Sequence, residues 1–383
     1  MNSAPRLVLF TRDDPATSTG GVETFCTRLL ELFPGSALVA YGGAAGKRRH
    51  LADEARDAWI ARRELARTVA ALHPAAIVAN GAAAWALRSS ERPLITVLHG
   101  TYGGFGRAIA PFTPRRAFVA RTYGAFLEKR AARHSDAVVA VSASVAAQAR
   151  DLYGVRGRLA VIENSGPASE PTRPTRAAAR ARLRVSGDEQ LLLFVGRGES
   201  TKGFDALLEL AARRPDWSLA AAGVAADRPL PANVRALGVL RPDPLRDWQA
   251  AADLIVLPTC YEGCSYALIE ALAADRPIVT TATGCFPEAG RQPYGMVLAP
   301  ASGPGDAAFA ARLERAIAEL LAAPHDFAPR GATEERFSFA RFAEEWRALI
   351  DEVAVRFPAP RVAAGAGTGE PATASAAELR DGR

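Results

Sequence analysis

A chain of 383 residues, 49% apolar and 23% charged, is too long for one ordinary α/β domain and long enough to bury two cores. No apolar run reaches the roughly eighteen residues that a membrane span needs. The start, MNSAPRLVLF, enters a strand-like run without the apolar stretch and cleavage site of a secretory signal, so a cytoplasmic protein is expected.

The formal charge of +6 is uneven. Residues 1–167 carry 22 Arg and Lys against 13 Asp and Glu, and the remainder 25 against 28. The first half is therefore expected to meet something anionic, either a membrane surface or a phosphorylated acceptor, with part of the charge serving only as solvated helix surface. Lys47, Arg48, Arg49, Arg62, Arg63, Arg115, Arg116 and Arg121 are not interleaved with a nucleic-acid motif, so no nucleic-acid partner is expected. The four cysteines, Cys26, Cys260, Cys264 and Cys285, lack the paired spacing of a zinc site and read as buried thiols.

Runs rich in Val, Ile and Leu alternate with helix-like stretches, the pattern of a parallel sheet with crossover helices. In the first half, strands are predicted at 7–10, 37–41, 76–79, 94–98, 137–141 and 159–162, with helices near 22–33, 52–72, 115–133 and 144–152. Residues 165–175, SGPASEPTRPT, hold three prolines and no periodicity, and read as a linker. The pattern then restarts. Strands are predicted at 191–195, 218–222, 234–237, 254–257, 278–280 and 296–298, with helices over 203–213, 243–251, 265–274 and 304–322. A last helix over 339–355 places Phe339, Phe342, Trp346 and Ile350 on one core-facing side. The Ala/Gly/Pro/Thr-rich tail over 358–383 is expected to be disordered. Two βα series joined by a Pro-rich linker predict twin doubly wound domains, with ligand crevices at the carboxyl ends of their strands.

Several polar features fall at those ends. Gly20 and Gly21 sit in Thr19-Gly20-Gly21-Val22-Glu23, after the first strand and at a helix start. The segment is either a plain tight turn or one whose backbone N–H groups meet a phosphate. Phe194-Val195-Gly196-Arg197 is followed five residues later by Lys202-Gly203, two cations able to grip a diphosphate. The chain has only 3 lysines against 44 arginines, which singles out Lys202 as a position where an ammonium is wanted.

The stretch from Leu257 to Glu270, LPTCYEGCSYALIE, carries the strongest signal. Glu262 leaves a strand and Glu270 lies eight residues on, inside the next helix; both can be a solvated pair, or hold sugar and ribose hydroxyls. Backbone N–H groups at Cys264, Ser265 and Tyr266 would favour a phosphate at that helix's positive end. His99 ends a strand ahead of Gly100-Thr101-Tyr102, where it faces the crevice. Asn164 and the loop Thr280-Thr281-Ala282-Thr283-Gly284 lie at further strand ends, Asn164 serving equally well as linker geometry.

Together, the Gly-Gly loop, the His-Gly strand end, the Gly-Arg…Lys-Gly pair and the Glu262-to-Glu270 element resemble the retaining GT-B glycosyltransferases of family 4, over roughly residues 5–355. The resemblance implies two Rossmann-like domains around a cleft: an acceptor-binding domain over 1–167, a linker over 168–187, a nucleotide-sugar-binding domain over 188–338 and a helix over 339–357 crossing back to the first domain. It implies a UDP- or GDP-sugar donor and no cofactor or metal; Asp13-Asp14 is not an Asp-x-Asp motif. Arg197 and Lys202 would neutralise the diphosphate, Glu262 would hold donor-sugar hydroxyls and Glu270 the ribose. His99 would lie near the donor sugar and Gly21 near the diphosphate or reacting centre. The acceptor would be a carbohydrate or lipid-linked intermediate of envelope synthesis, at an anionic membrane surface. A small-molecule acceptor, or a catalytically silent nucleotide- or lipid-binding protein of the same fold, are the alternatives. Cys264-Ser265-Tyr266 departs from the family's Phe-Gly-containing stretch, which bears on donor preference, and Asn164-Ser165-Gly166 departs from its usual Asn-Gly element.

Overall fold

The computed structural model describes residues 5–42, 50–87, 92–169, 172–225, 229–323 and 326–355. The tail over 358–383, residues 170–171 of the linker and the basic residues 47–49 lie outside the described residues.

Strand runs with apolar side chains on both faces need cover on both faces, which parallel sheets obtain from crossover helices. The first sheet contains β1 (Leu7–Thr11), β2 (Ala37–Ala40), β3 (Ala76–Asn80), β4 (Leu94–Leu98), β5 (Ala137–Ala140) and β6 (Arg158–Val161). They run parallel in the order β2-β1-β3-β4-β5-β6, and β1, β3, β4 and β5 are buried along their whole length. Cover comes from α1 (Gly21–Leu32), α2 (Leu51–Leu72), α3 (Tyr102–Ala108), α4 (Pro114–Val119), α5 (Ala125–His134) and α6 (Ala143–Tyr153). The helix predicted over 115–133 widens into a π turn at Ala120–Gly124, between α4 and α5. There the Tyr102 ring fills the space that a Cβ on Gly124 would need.

The second sheet holds β7 (Gln190–Val195), β8 (Trp217–Ala222), β9 (Val234–Gly238), β10 (Leu254–Leu257), β11 (Ile278–Thr281), β12 (Gly290–Gln292) and β13 (Gly295–Leu298). Its order is β12-β13-β11-β10-β7-β8-β9, parallel except for the short antiparallel β12. The accompanying helices are α7 (Arg176–Leu183), α8 (Phe204–Arg213), α9 (Pro242–Ala251), α10 (Tyr266–Ala273), α11 (Ala307–Ala322), α12 (Pro329–Thr333) and α13 (Phe339–Val355). Strand order reverses between β1 and β3 in the first sheet and between β7 and β10 in the second. Each reversal opens a crevice at the strands' carboxyl ends.

The helix α13 belongs to the end of the chain but packs on the first sheet's helices. Its Phe342 and Trp346 are fully buried, and both rings approach Phe25 of α1, with centroids 6.3 and 5.8 Å away. Arg336 holds Glu163 with two hydrogen bonds of 2.7 and 2.6 Å, and Arg341 donates to the Glu163 carbonyl at 2.7 Å. Emptying this contact leaves a cavity that neither domain can close alone. Trp346→Ala is accordingly expected to cost about 3–5 kcal/mol, read as a lower urea midpoint with an unchanged denaturant slope.

Candidate active site

Two loops of the second sheet are tied together at its strand-order reversal. After β7, a 3₁₀ turn (Ser200–Lys202) ends at Gly203, whose φ of +73 favours glycine. A Cβ there would also clash with the Pro258 carbonyl at the end of β10. The Thr201 carbonyl accepts the Cys260 N–H at 3.0 Å and the Thr259 hydroxyl at 3.3 Å. This stitching brings Lys202 Nζ within 2.5 Å of Glu262 Oε1, both side chains about one quarter exposed.

Arg197, expected to grip a diphosphate together with Lys202, points away from the Lys202–Glu262 pair. Its side chain is 65% exposed, with Nε 3.6 Å from a Glu199 carboxylate oxygen. Gly196, just ahead of it, lies over the Phe194 ring. The difference is one of direction: the strand end fixes where the Arg197 backbone leaves the sheet, not where its long side chain goes.

The loop after β10 also meets the first sheet. A Cβ on Gly263 would clash with the carbonyl oxygen of His99, so the two strand ends approach to backbone contact. Tyr261 reaches across: its hydroxyl accepts the Thr101 N–H at 2.6 Å and donates to Gln148 Oε1 at 2.9 Å. The Asn164 amide donates to the Cys264 carbonyl at 2.7 Å.

The His99 ring stands against Phe25, edge to face, with centroids 4.8 Å apart. Asn80 Nδ2 donates to Cys26 Sγ at 3.2 Å, which turns Asn80 Oδ1 toward His99 Nε2 at 2.8 Å. A carbonyl oxygen only accepts, so Nε2 carries the proton and Nδ1 is the ring's acceptor. Burial pulls His99 down to about 4, leaving a neutral imidazole near neutral pH.

The two helix starts converge as well. A Cβ on Gly21 would stand 3.7 Å from the Tyr266 ring, and Gly20 and Gly21 are exposed. Ser265, at the α10 N-cap, makes no side-chain bond to the first turn, so its own side chain leaves the helix's positive end uncapped. At α1 the Glu23 carboxylate folds back toward Gly20, and burial raises it. Glu270 lies on α10, raised by burial and pulled down by Arg28, Arg173 and Arg246. All four cysteines are buried and free; burial and the neighbouring Cys264 push the Cys285 thiol up.

A cavity of about 360 Å³ opens at the first sheet's reversal, between the ends of β1 and β3 and beside His99 and Tyr261. Glu128 lines it, fully buried within α5. Its Oε2 accepts the Tyr102 N–H at 2.6 Å and the Tyr153 hydroxyl. Among the described residues no group of three or more His, Cys, Asp or Glu side chains is placed to hold a metal.

Sequence reading missed Asn80, Tyr261 and Glu128. Asn80 ends β3 and was open to the strand-end rule that found His99. Tyr261 sits inside the 257–270 segment, but its partner lies 160 residues away. Glu128 is the sole acid between residues 92 and 134, mid-helix, with no local pattern to mark it.

Two doubly wound Rossmann-like domains, with their strand-order reversals facing one cleft, define the GT-B class. The family models divide the chain in the same way: "Glycosyltransferase Family 4" matches residues 19–165 and "Glycosyl transferases group 1" matches residues 189–319. The chain belongs to this family of glycosyltransferases, family 4 or group 1.

It is 30% identical over 256 residues to a D-inositol 3-phosphate glycosyltransferase of Geodermatophilus obscurus, covering 61% of this chain and 54% of that protein. It is 29% identical over 214 residues to the putative teichuronic acid biosynthesis glycosyltransferase TuaC of Bacillus subtilis, covering 55% and 52%. The chain thus spans about half the length of the curated relatives it matches. Among solved structures, Anabaena HepE in complex with UDP-glucose superposes with a TM-score of 0.64 at 17% identity, over 90% of this chain and 99% of that one, a likeness of fold.

Burial raises the Glu128 carboxyl from 4.5 to about 7. Between those values the unfolded chain ionises first, so stability is full below the lower value and falls as pH rises through the upper one. The loss is on the order of 3 kcal/mol. Glu128→Gln is expected to flatten that slope, read from urea midpoints between pH 4.5 and 8; an unchanged slope assigns it to another group.

Proposed function

We propose that the chain is a retaining glycosyltransferase that moves a sugar from a UDP- or GDP-sugar to an acceptor hydroxyl. The observation that carries this reading is the meeting of Lys202 and Glu262 at the second sheet's reversal, facing the His99 strand end of the first. A cation beside a carboxylate suits a donor whose diphosphate takes the ammonium and whose sugar hydroxyls take the carboxylate.

In this reading the α10 start at Cys264, Ser265 and Tyr266 adds its N–H groups and helix dipole to the phosphates. Gly20 and Gly21 let the opposite backbone come close, Gly196 borders the donor loop and Glu270 accepts from the ribose. Arg197 contributes to the diphosphate only after turning inward from its exposed position. His99, neutral and proton-bearing at Nε2, presents Nδ1 as an acceptor near the donor sugar. The bond between the anomeric carbon and the phosphate oxygen breaks, and the acceptor oxygen bonds to that carbon on the same face. The acceptor proton passes to the departing phosphate oxygen. Lys202 stabilises the charge that develops on the leaving group.

In this reading the acceptor is a bacterial envelope glycan or a lipid-linked intermediate, which the relative named for teichuronic acid biosynthesis supports. A free small molecule, in keeping with those named for D-inositol 3-phosphate, is the second reading. Both are tested with a metal-free panel of UDP-, GDP-, ADP- and TDP-sugars, following heat of binding and nucleotide release with lipid-linked and small-molecule acceptors. One donor is expected to bind, weakened about ten- to hundredfold in Lys202→Ala and Glu270→Ala, on the scale of a lost charged hydrogen bond. Binding without acceptor-dependent release favours a silent nucleotide-binding protein; binding of no donor removes the reading.

Attachment to the inner face of an anionic membrane, in a cytoplasmic setting, is part of the same proposal. Phe118 and Phe126 are 69% and 61% exposed on the α4–α5 rod, with Val119 and Tyr123 beside them. Arg115, Arg116, Arg121 and Lys129 are also exposed there. Apolar tips within a basic ridge suit the boundary between headgroups and acyl chains. No helix among the described residues is long and apolar enough to cross a membrane. Co-sedimentation with anionic vesicles at low salt is expected, and Phe118→Ser with Phe126→Ser is expected to abolish it; a wild-type chain that stays in the supernatant overturns this part.

A further inference from the structure

The cavity at the first sheet's reversal carries a charge pattern opposite to that of the surrounding surface. Its titratable lining is Arg12, Asp13, Glu23, Glu54, His99 and Glu128. Among the described residues of the lining the one cation is already engaged: Arg12 Nε donates to Asp13 at 2.7 Å and its Nη1 to Glu54 at 2.9 Å. His99 is uncharged near neutral pH. Four carboxyl groups therefore face one neutralised guanidinium.

Glu128 makes this more than an acidic cluster. It is only 4% exposed, and both of its hydrogen bonds go to Oε2. Among the described residues Oε1 has no hydrogen-bond partner; it lies beside Gly81 in the cavity wall, 3.6 Å from where a Cβ on that residue would stand. Turned to the cavity, that oxygen is open to a hydroxyl donor held there. Tyr41, Tyr102, Phe105 and Tyr261 add flat apolar walls, which suit the C–H faces of a sugar or cyclitol ring.

Resting on the glycosyltransferase reading above, we propose that this cavity receives the acceptor as a polyol free of anionic groups. Its hydroxyls donate to Glu128 Oε1 and to the Asp13 and Glu54 carboxylates, and a phosphorylated or carboxylated polyol is rejected. Carboxylates accept hydroxyl protons readily and repel a phosphate seated a few ångströms away. Of the α4–α5 ridge, Arg116 stands over the outer Phe105 ring at 5.2 Å and is paired with Glu199, whereas Arg115 and Arg121 are not among the lining residues. Lipid phosphates and the acceptor's hydroxyls are thereby assigned to different surfaces.

The test compares myo-inositol with a myo-inositol monophosphate, and glucose with glucose 6-phosphate, by saturation-transfer NMR and calorimetry on the full chain without donor. Nucleotide release is then followed with the donor that binds in the panel above. The neutral member of at least one pair is expected to bind at least about tenfold more tightly than its phosphate. The Asp13→Asn, Glu54→Gln double variant, which frees Arg12, is expected to shrink that ratio about tenfold. Equal or tighter binding of both phosphates, or binding of neither neutral polyol, overturns the proposal. Because polyol binding is read without donor, this inference and the donor reading can fail separately.

Discussion

The approach of Gly263 to the His99 carbonyl is the constraint from which the cleft follows. Backbone meets backbone there, and no side chain other than hydrogen fits between. Two flanking contacts depend on that closeness: the Tyr261 hydroxyl against Thr101, and the Asn164 amide on the Cys264 carbonyl. With the loops so fixed, Tyr261 lines the first sheet's cavity one residue from Glu262 of the Lys202–Glu262 pair. A larger residue at 263 would push the two sheets' reversals apart and uncouple the proposed donor and acceptor sites.

Packing far along the chain reinforces the same geometry. Trp346 and Phe342 of α13 press on Phe25, and Phe25 presents an edge to the His99 ring. Asn80, oriented by Cys26, holds that ring in one tautomer. A core contact made by the last described helix thus reaches a group in the cleft through two aromatic neighbours. Close-packed interiors transmit displacement in this way because neighbouring side chains have no slack to absorb it.

Charge is sorted by position. The excess of arginine in the first half includes an exposed ridge with aromatic tips, whereas the cavity behind it is lined by four carboxyl groups and one paired guanidinium. Glu128 belongs to both places: it sits on the helix that carries the ridge, turned inward to Tyr102, Tyr153 and the cavity. The net charge of a domain therefore describes the field an approaching membrane meets, and not the field inside the pocket.

The sequence by itself determined the alternation of buried strands and helices, the restart after the Pro-rich linker and the strand-end positions of His99, Glu262 and Lys202. Those features follow from periodicity and chain order, which are local. It did not reveal α3, because Gly103, Gly104 and Gly106 read as a loop; Leu152 and the Ala117 carbonyl crowd two of them, so close packing, not helix propensity, sets that segment. It did not reveal β12 either, three exposed or half-exposed residues held only by pairing with β13. Which charges meet was decided by tertiary structure alone: Lys202 found Glu262 while Arg197 turned outward, and Arg12 was neutralised across 42 residues by Glu54. Periodicity gives the direction in which a backbone leaves a sheet, but the partner of a long charged side chain depends on loops brought together from distant parts of the chain.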